Sequence, residues 1–523
     1  MTWLKFVSSR SAARALAIGL AWFAFIWAIA RACAQAVTGD EAQDYLFYSA
    51  TSSPTHWDPS ANNHMLNSMA ARLFASVFGL SAFSVRLPSL IGAAIYIFVI
   101  YQLCKMISEE WKIRIPLFLC LVYNPFILDF FVAARGYGIA NAFLMTAIAV
   151  SAFYHLRGGE TRELISATAI SSLCLGFAFT ANFSLAFTGI SAVILLLVWA
   201  IKAGPGERWK LLAAGIVPGA LVVLLIPSWT ILHWPAGQIV AGVKSLKETL
   251  ESLVNASTYE PNPYLINPLV MPVFKILRSL ALPVSGALAL IQFGWIVRDR
   301  VWRRSKQEGP DFNPHTAWLC SLGALISGVT VLAIGEHRLA YRLFRLLMPV
   351  SRTGLFFIPL VTLMAGIAAA IPAMSRGAAI FRKTLIGALC VLSVYYLFCM
   401  RLMYFQEWQY QADLKDAYRI LACYNHEKNI QDVEVSWYYH AGMNFQRLLS
   451  GHETFPPFSS TTPHTTGHQM YVLLQDFEND FIQAQGLKVV FKGSRTGMVV
   501  ATLPELADSP GGACYVWPLL SRY

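Results

Sequence analysis

The sequence predicts an all-α polytopic membrane protein of about eleven transmembrane helices, followed by a small C-terminal α/β or α+β extracytoplasmic domain. Three observations lead there. Of 523 residues, 56% are hydrophobic and only 13% charged, where a soluble chain would carry about 25% charged residues. Apolar runs of about 20 residues recur along positions 1–403, the length a helix needs to cross hydrocarbon with its backbone hydrogen bonds satisfied internally. Positions 404–523 then return to ordinary polar composition.

Hydropathy sets the spans at 15–37, 83–104, 113–131, 136–155, 164–181, 183–202, 209–232, 271–297, 315–335, 354–373 and 383–403. The first is too long for a signal-peptide core and lacks a clear small-residue cleavage site, so it reads as a retained helix. Basic residues cluster in every second connection. Lys5, Arg10 and Arg14 precede the first span, and Lys105, Lys112 and Arg114 separate the second from the third. Arg157 and Arg162 follow the fourth, and Lys202, Arg208 and Lys210 the sixth. RDRVWRRSK follows the eighth, and Arg376, Arg382 and Lys383 the tenth. This alternation is the positive-inside pattern and predicts a cytoplasmic N-terminus; an odd span count then predicts an extracytoplasmic C-terminus. The net charge of +11 and pI near 9.2 follow from these clusters and call for no nucleic-acid partner.

Nine cysteines form no CxxC pair and no metal-ligand spacing. Cys423 and Cys514 alone lie in the polar region, where they are free to pair if that region is extracytoplasmic. Within 404–523, DVEVSWYY, MYVLLQDF, LKVVF and GMVVATL alternate like strands, and DLKDAYRILACYN is patterned as a helix. The expected division is therefore 1–403, a transmembrane domain, and 404–523, an extracytoplasmic one.

Three long connections face outward, at about 38–82, 233–270 and 336–353. The first opens on Asp40 and Glu41 in VTGDEAQDYLFYS, then offers two amphipathic pieces that suit the membrane surface. In the second of these, Leu66, Met69, Leu73, Val77 and Phe78 recur at helical spacing, and His64 precedes them. The 233–270 connection holds HWPAGQIV and PNPYLINPLVMP. The third reads EHRLAYRLFRLLMPVSR and is basic on the wrong side, so Arg338, Arg342, Arg345 and Arg352 want an anion there.

Two readings of the acidic pair compete. Acidic residues at a helix N-terminus cap it and favour its dipole, and TGDEAQ fits that role. Capping alone asks for no basic lining, however, and one is present: Arg135 at the third-to-fourth turn near Asp129, His64, and the arginines of 336–353. Ion pairs such as Arg338 with Glu336 and Arg135 with Asp129 are the simpler alternative for those cations. Carboxylates facing arginines suit transfer from a phosphate leaving group. The carboxylate removes the proton of an attacking hydroxyl, and the guanidinium forks stabilise charge developing on phosphate.

The order of apolar span, DE, NNHML, VRLPSLIGA, ARGYG and basic loop resembles the membrane glycosyltransferases of the GT-C fold. The nearest in pattern are the protein mannosyltransferase, lipid A aminoarabinose transferase and lipopolysaccharide-core sugar transferase families. The resemblance covers 15–200 well, the later spans weakly and the C-terminal region hardly at all. It implies a polyprenyl-phosphate sugar donor and a glycan, lipid or protein acceptor, met within the lipid of a bacterial cytoplasmic membrane. It also implies Asp40 as general base, with Glu41 supporting it or helping to hold a cation. His64, Leu66, Arg86, Leu87 and Pro88 answer to the surface-helix pattern of these families, and Arg135 and Tyr137 to a motif of the type EARxY. Arg135, His64, Arg338, Arg342, Arg345 and Arg352 are then the expected donor-phosphate ligands, with Tyr137 and Asp129 in support. Met65 stands where proline is common and Ala133 where an acidic residue is. No cofactor is certain; a divalent metal stays open, since no ligand cluster demands one. A transporter or flippase of a lipid-linked anion is the alternative, and a non-catalytic scaffold of the same fold is a third reading.

Overall fold

The computed structural model describes residues 10–50, 57, 59–235, 242–260, 271–273, 275–276, 291, 313–373, 376–450 and 455–508. Among them, eight helices are long and apolar enough to cross a membrane: Ala12–Ala34, Ala82–Ile107, Tyr137–Arg157, Thr161–Ala181, Phe183–Ala203, Pro205–Leu225, Pro314–Phe344 and Arg376–Phe398. The chain is a multi-pass helical membrane protein. Trp22, Ile26, Leu221 and Leu224 stand exposed on these helices, as residues facing lipid must.

The expected count of eleven is not the number these residues carry. The third expected span breaks into Trp111–Val122 and Pro125–Phe130. Pro125 has no N–H and holds Asn124 extended (φ −52°, ψ 122°), and the Asn124 side chain caps the amides of Phe126 and Ile127 at 3.0 and 3.3 Å. The tenth contracts to Phe357–Ala370, 14 residues. The eighth, 271–297, lies almost wholly outside the described residues, as do RDRVWRRSK and most of HWPAGQIV and PNPYLINPLVMP. The third long connection is also shorter than expected. The Pro314–Phe344 helix runs 31 residues, about 46 Å at 1.5 Å per residue, so Arg338 and Arg342 are helical. The chain turns only at Arg345, in the left-handed region (φ 58°).

The two short buried helices occupy the interior. Phe118, Leu121, Phe126, Phe130 and Phe131 pack there with Tyr96, Ile100, Leu144 and Leu360. The Met65–Phe78 helix lies across one end with Met69, Leu73, Val77 and Phe78 exposed, an apolar stripe that faces away from the protein and suits an interface with lipid.

The C-terminal region is a three-layer α/β unit. Strands β1 (Val433–Val435), β2 (Met470–Leu474), β3 (Lys488–Lys492) and β4 (Met498–Thr502) form one sheet in the order β1-β2-β4-β3. Only β1 and β2 run parallel. The crossover between them contains the Trp437–Leu449 helix, which the strand-like reading of SWYY did not foresee. Alternation along β2 divides the cores. Met470, Val472 and Leu474 meet Leu414, Leu421, Tyr439 and Met443 on one face; Tyr471 and Leu473 meet Ile482 on the other. Cys423 is disulfide-bonded, and Cys514 lies outside the described residues.

This unit docks on the membrane part through Phe445, buried against Val37, Ala42, Val85 and Ala134. The Gly39 amide donates to Gln411 Oε1 at 2.6 Å, and a Cβ at Gly39 would sit 2.8 Å from Gln411 Nε2. Both contacts fall on the segment carrying the acidic pair.

Candidate functional site

The acidic pair opens the short helix Gly39–Asp44 through a capping box. Thr38 Oγ1 accepts from the Glu41 amide at 3.2 Å, and Glu41 Oε2 accepts from the Thr38 amide at 2.8 Å. Glu41 does more than cap. Its Oε1 accepts from Arg86 Nε and from the Ala134 amide, both at 2.8 Å, and its Oε2 from Arg86 Nη2 at 2.8 Å. Arg86 spends its remaining donors on the carbonyls of Ala32, Gln35 and Ala36. Both side chains are wholly buried. Burial alone would raise the Glu41 pKa, but Arg86 and the two amides more than offset it, so the carboxyl stays ionised. The pair ties the end of the first span to the second span and to the turn before Tyr137. The expectation of Glu41 as a catalytic group meets a physical obstacle here: both its oxygens are occupied and no solvent reaches them.

Asp40, its neighbour, points the other way. Its Oδ2 accepts from Arg352 Nη1 at 2.7 Å, and the two side chains are 26% and 27% exposed. The same Nη1 lies 3.3 Å from Glu407 Oε1. The Arg352 guanidinium sits over the Trp408 ring at 5.6 Å, and Trp408 also hydrogen-bonds Asp40. Glu407 Oε2 is buried with no hydrogen-bond partner. Two carboxylates thus share one arginine, from segments far apart in sequence.

Arg135 backs this cluster from inside the protein. It is fully buried, with Nη1 on Asp44 Oδ1 at 2.5 Å and on the Asp40 carbonyl at 3.4 Å, and Nη2 on Asn62 Oδ1 at 2.6 Å. The expected alternative pairing with Asp129 does not occur. Asp129 binds Arg31 Nη2 at 2.5 Å and the Tyr259 hydroxyl at 2.6 Å instead, so it braces the interior. His64 is buried, with Nδ1 donating to the Ala181 carbonyl at 3.0 Å and its ring 4.9 Å from that of Tyr137. Burial and the charge of Arg135 push its pKa well below the usual histidine value, so the ring is neutral and Nε2 is a buried acceptor without a partner. Gly136 makes this closeness possible. Its φ is +69°, and a Cβ there would lie 2.2 Å from the Ala181 carbonyl oxygen and 3.0 Å from His64 Cβ.

Electrostatics separate the two accessible carboxylates. For Asp40, burial would raise the pKa, but Arg135 and Arg352 outweigh it, so the carboxyl is held below its ordinary value. For Glu407, burial dominates. Arg352 offsets it in part, the charges of Asp40 and Asp129 add to it, and the pKa is pushed up to about 7.

Of the expected phosphate ligands, Arg352 alone meets Asp40 through its side chain while remaining accessible. Arg135 and His64 stand behind it, and Tyr137 is buried beside them. Arg338, Arg342 and Arg345 are exposed and do not join. Arg338 lies over the Tyr341 ring at 5.7 Å, and its expected partner Glu336 accepts from Ser191 Oγ at 3.2 Å. Glu407, Trp408 and Asp44 escaped the sequence reading. An acidic residue beside a tryptophan just past the last span, in FQEWQY, was the only available signal. Glu407 also walls a cavity of about 410 Å³, with Phe126, Ser252, Asn255, Tyr259, Glu260, Ser351 and Gln406 among its lining residues. Among the described residues, no group of three or more His, Cys, Asp or Glu is placed to hold a metal ion.

No protein-family description matches this sequence, and no curated protein matches it. Among solved structures, the chain is similar to ArnT from Cupriavidus metallidurans in the apo state, at 12% identity and a TM-score of 0.42, covering 95% of this chain and 99% of that one. The same protein bound to undecaprenyl phosphate gives 13% identity and a TM-score of 0.43, with 95% and 99% covered. The Archaeoglobus fulgidus oligosaccharyltransferase in the apo form gives 12% and 0.38, covering 85% and 64%. Likenesses this distant carry no weight for function, which has to come from the cluster itself.

Proposed function

We propose that the protein is a membrane glycosyltransferase that moves a sugar from a polyprenyl-phosphate donor to an acceptor hydroxyl. One observation carries the reading: Asp40 and Arg352, at opposite ends of the membrane part in sequence, meet as a partly exposed pair at 2.7 Å. An accessible carboxylate beside an accessible guanidinium is the minimum that such a transfer requires. The ordered motifs from the acidic pair to ARGYG support the same conclusion. The basic connections support an orientation with the N-terminus in the cytoplasm, and with the cluster and the α/β unit outside.

In the resting protein the two carboxylates neutralise Arg352. A lipid phosphate entering the cluster competes for that guanidinium and frees a carboxylate, while buried Arg135 adds positive field behind it. The acceptor oxygen forms a bond to the anomeric carbon as the bond from that carbon to the phosphate oxygen breaks. The electron pair leaves on the phosphate oxygen, where Arg352 stabilises it. The acceptor proton passes to a carboxylate of the pair, Asp40 being the one expected from the sequence.

The test is release of labelled sugar from a polyprenyl-phosphate donor by the full-length protein in lipid nanodiscs. Arg352→Ala and Asp40→Asn are each expected to lower the rate by about 10²-fold or more. Arg342→Ala, remote from the cluster, should leave it unchanged. Wild-type protein that moves the lipid between leaflets but never releases sugar would point to a flippase and sink the proposal.

A further inference from the structure

Resting on the transferase reading, we infer that Glu407 is the carboxylate that receives the acceptor proton, and that the cavity it walls holds an uncharged saccharide acceptor. Asp40 then serves the donor side, holding Arg352 in place for the phosphate.

The geometry separates two sides of Arg352. Asp40 approaches it from the Gly39–Asp44 helix and is absent from the wall of the 410 Å³ cavity; Glu407 approaches from the segment after the last long helix and forms part of that wall. The volume falls within the roughly 300–1,000 Å³ usual for small-molecule sites. The lining suits a polyhydroxylated ring. Ser252, Ser351, Asn255 and Gln406 line it with hydroxyl and amide side chains, Ser252 Oγ donating to the Thr249 carbonyl and Gln406 Oε1 accepting from Arg401. Phe126 and Tyr259 present aromatic rings 6.5 Å apart. Among the described residues, the charged ones that line it are Glu260 and Glu407. Asp40 and Glu407 already share Arg352, and Arg401 is held by Gln406 and the Glu260 carbonyl. A phosphate or carboxylate on the acceptor would compete with these for the cations, while a neutral sugar would not.

The remaining observation is the Oε2 of Glu407, buried without a hydrogen-bond partner on a residue that walls the cavity. A base works best with a pKa near the operating pH, because it must be both deprotonated beforehand and willing to take the proton. Asp40, held down by Arg135 and Arg352, is a poor proton acceptor, and Glu407, near 7, is a good one. The groups facing Glu407 are Arg352 from the turn at 351–354, Asp40 from the short helix, Asp129 from the Pro125–Phe130 helix, and Arg135 from the turn before Tyr137. Tyr259 and Glu260 face it from the strap beyond Leu246–Ser257. Tyr137 and Tyr410 lie within its field, and Arg401 binds Gln406 and the Glu260 carbonyl beside it. Among these the cations favour the ionised carboxylate; Asp40 and Asp129 oppose it. In the step itself, the acceptor O–H bond breaks as its oxygen bonds to the anomeric carbon. The proton ends on the Glu407 carboxylate and the leaving electron pair on the lipid phosphate.

The experiment uses full-length protein in nanodiscs with labelled undecaprenyl-phosphate hexose and pentose, and methyl glycosides or their phosphate monoesters as surrogate acceptors. For wild type, the transfer rate should rise with pH through about 7 and then level. Glu407→Gln should lose about 10²-fold and lose that rise, while Glu407→Asp keeps the rise at a reduced rate. Asp40→Asn should keep the rise and lose rate throughout. Neutral glycosides should be used at least tenfold better than phosphorylated ones. If Glu407→Gln keeps the pH rise and Asp40→Asn abolishes it, the proton goes to Asp40, and the inference fails while the transferase reading stands. Preference for the phosphorylated acceptor overturns the pocket assignment. Wild-type protein that transfers no sugar to any acceptor overturns the transferase reading and this inference with it.

Discussion

Replacing Glu41 by Gln should damage folding far more than replacing its neighbour Asp40 by Asn. Glu41 receives four donors: Arg86 Nε and Nη2, and the amides of Thr38 and Ala134. A Gln side chain offers one acceptor oxygen and turns an NH₂ group toward the rest, so buried donors lose their partner at about 1–3 kcal/mol each. The Arg86 charge, wholly buried, loses its counter-ion as well. Removing one partner of such a pair costs about 3–5 kcal/mol, and the two estimates overlap rather than add. The Asp40–Arg352 pair is about a quarter exposed at each end and Glu407 also serves Arg352, so Asp40→Asn should cost at most about 1 kcal/mol. Thermal inactivation of purified protein in nanodiscs, followed by loss of the monodisperse peak on size exclusion, reads the difference. Equal stability of the two variants, or a larger loss for Asp40→Asn, would refute the division of the acidic pair into a brace and an accessible group.

Two further outcomes follow from the same geometry. Gly136→Ala should destabilise the protein by about 1–3 kcal/mol, because its backbone is left-handed and the added Cβ meets the Ala181 carbonyl at 2.2 Å; a thermal shift indistinguishable from wild type would contradict that. In the α/β unit, His464 joins Glu434 at 3.0 Å and Glu478 at 2.7 Å, and those bonds raise its pKa above the ordinary 6.5. A raised histidine pKa contributes stability that is fully present below 6.5 and lost as pH climbs through the folded value. Hydrogen exchange of 459–468, corrected for intrinsic rates, should therefore accelerate as pH rises above neutrality. His464→Gln should abolish that dependence, and an unchanged profile in the variant would show that His464 does not hold the segment.

Much of the fold was legible because its causes are local. A long run of apolar residues becomes a helix in lipid because only then are its backbone groups satisfied internally. Five of the eight long helices match spans set by hydropathy to within three residues at each end, the other three overlapping theirs with shifted ends. Strand alternation located all four strands of the α/β unit. The misreadings are local conflicts settled by neighbours. Asn124-Pro125 breaks an otherwise uniform apolar run, and SWYY alternates like a strand yet folds as the start of a helix, since its apolar residues have a sheet face to cover on one side only. At the site, Asp40, Arg135, Arg352, His64 and Tyr137 were identifiable from charges and motif order, but which carboxylate meets which cation was not.

By itself, then, the sequence determined the membrane class, most spans, the α/β unit and the importance of the segment around Asp40, because these follow from composition, periodicity and capping chemistry along a few consecutive residues. Only the tertiary structure decided which carboxylate braces and which is exposed. It gave Arg86 to Glu41, Arg31 to Asp129, Asp44 to Arg135, and Arg352 to both Asp40 and Glu407. The physical reason is that a guanidinium fits any carboxylate. Its choice depends on which partner the packed helices bring into reach, and adjacent residues on one helical turn point about 100° apart.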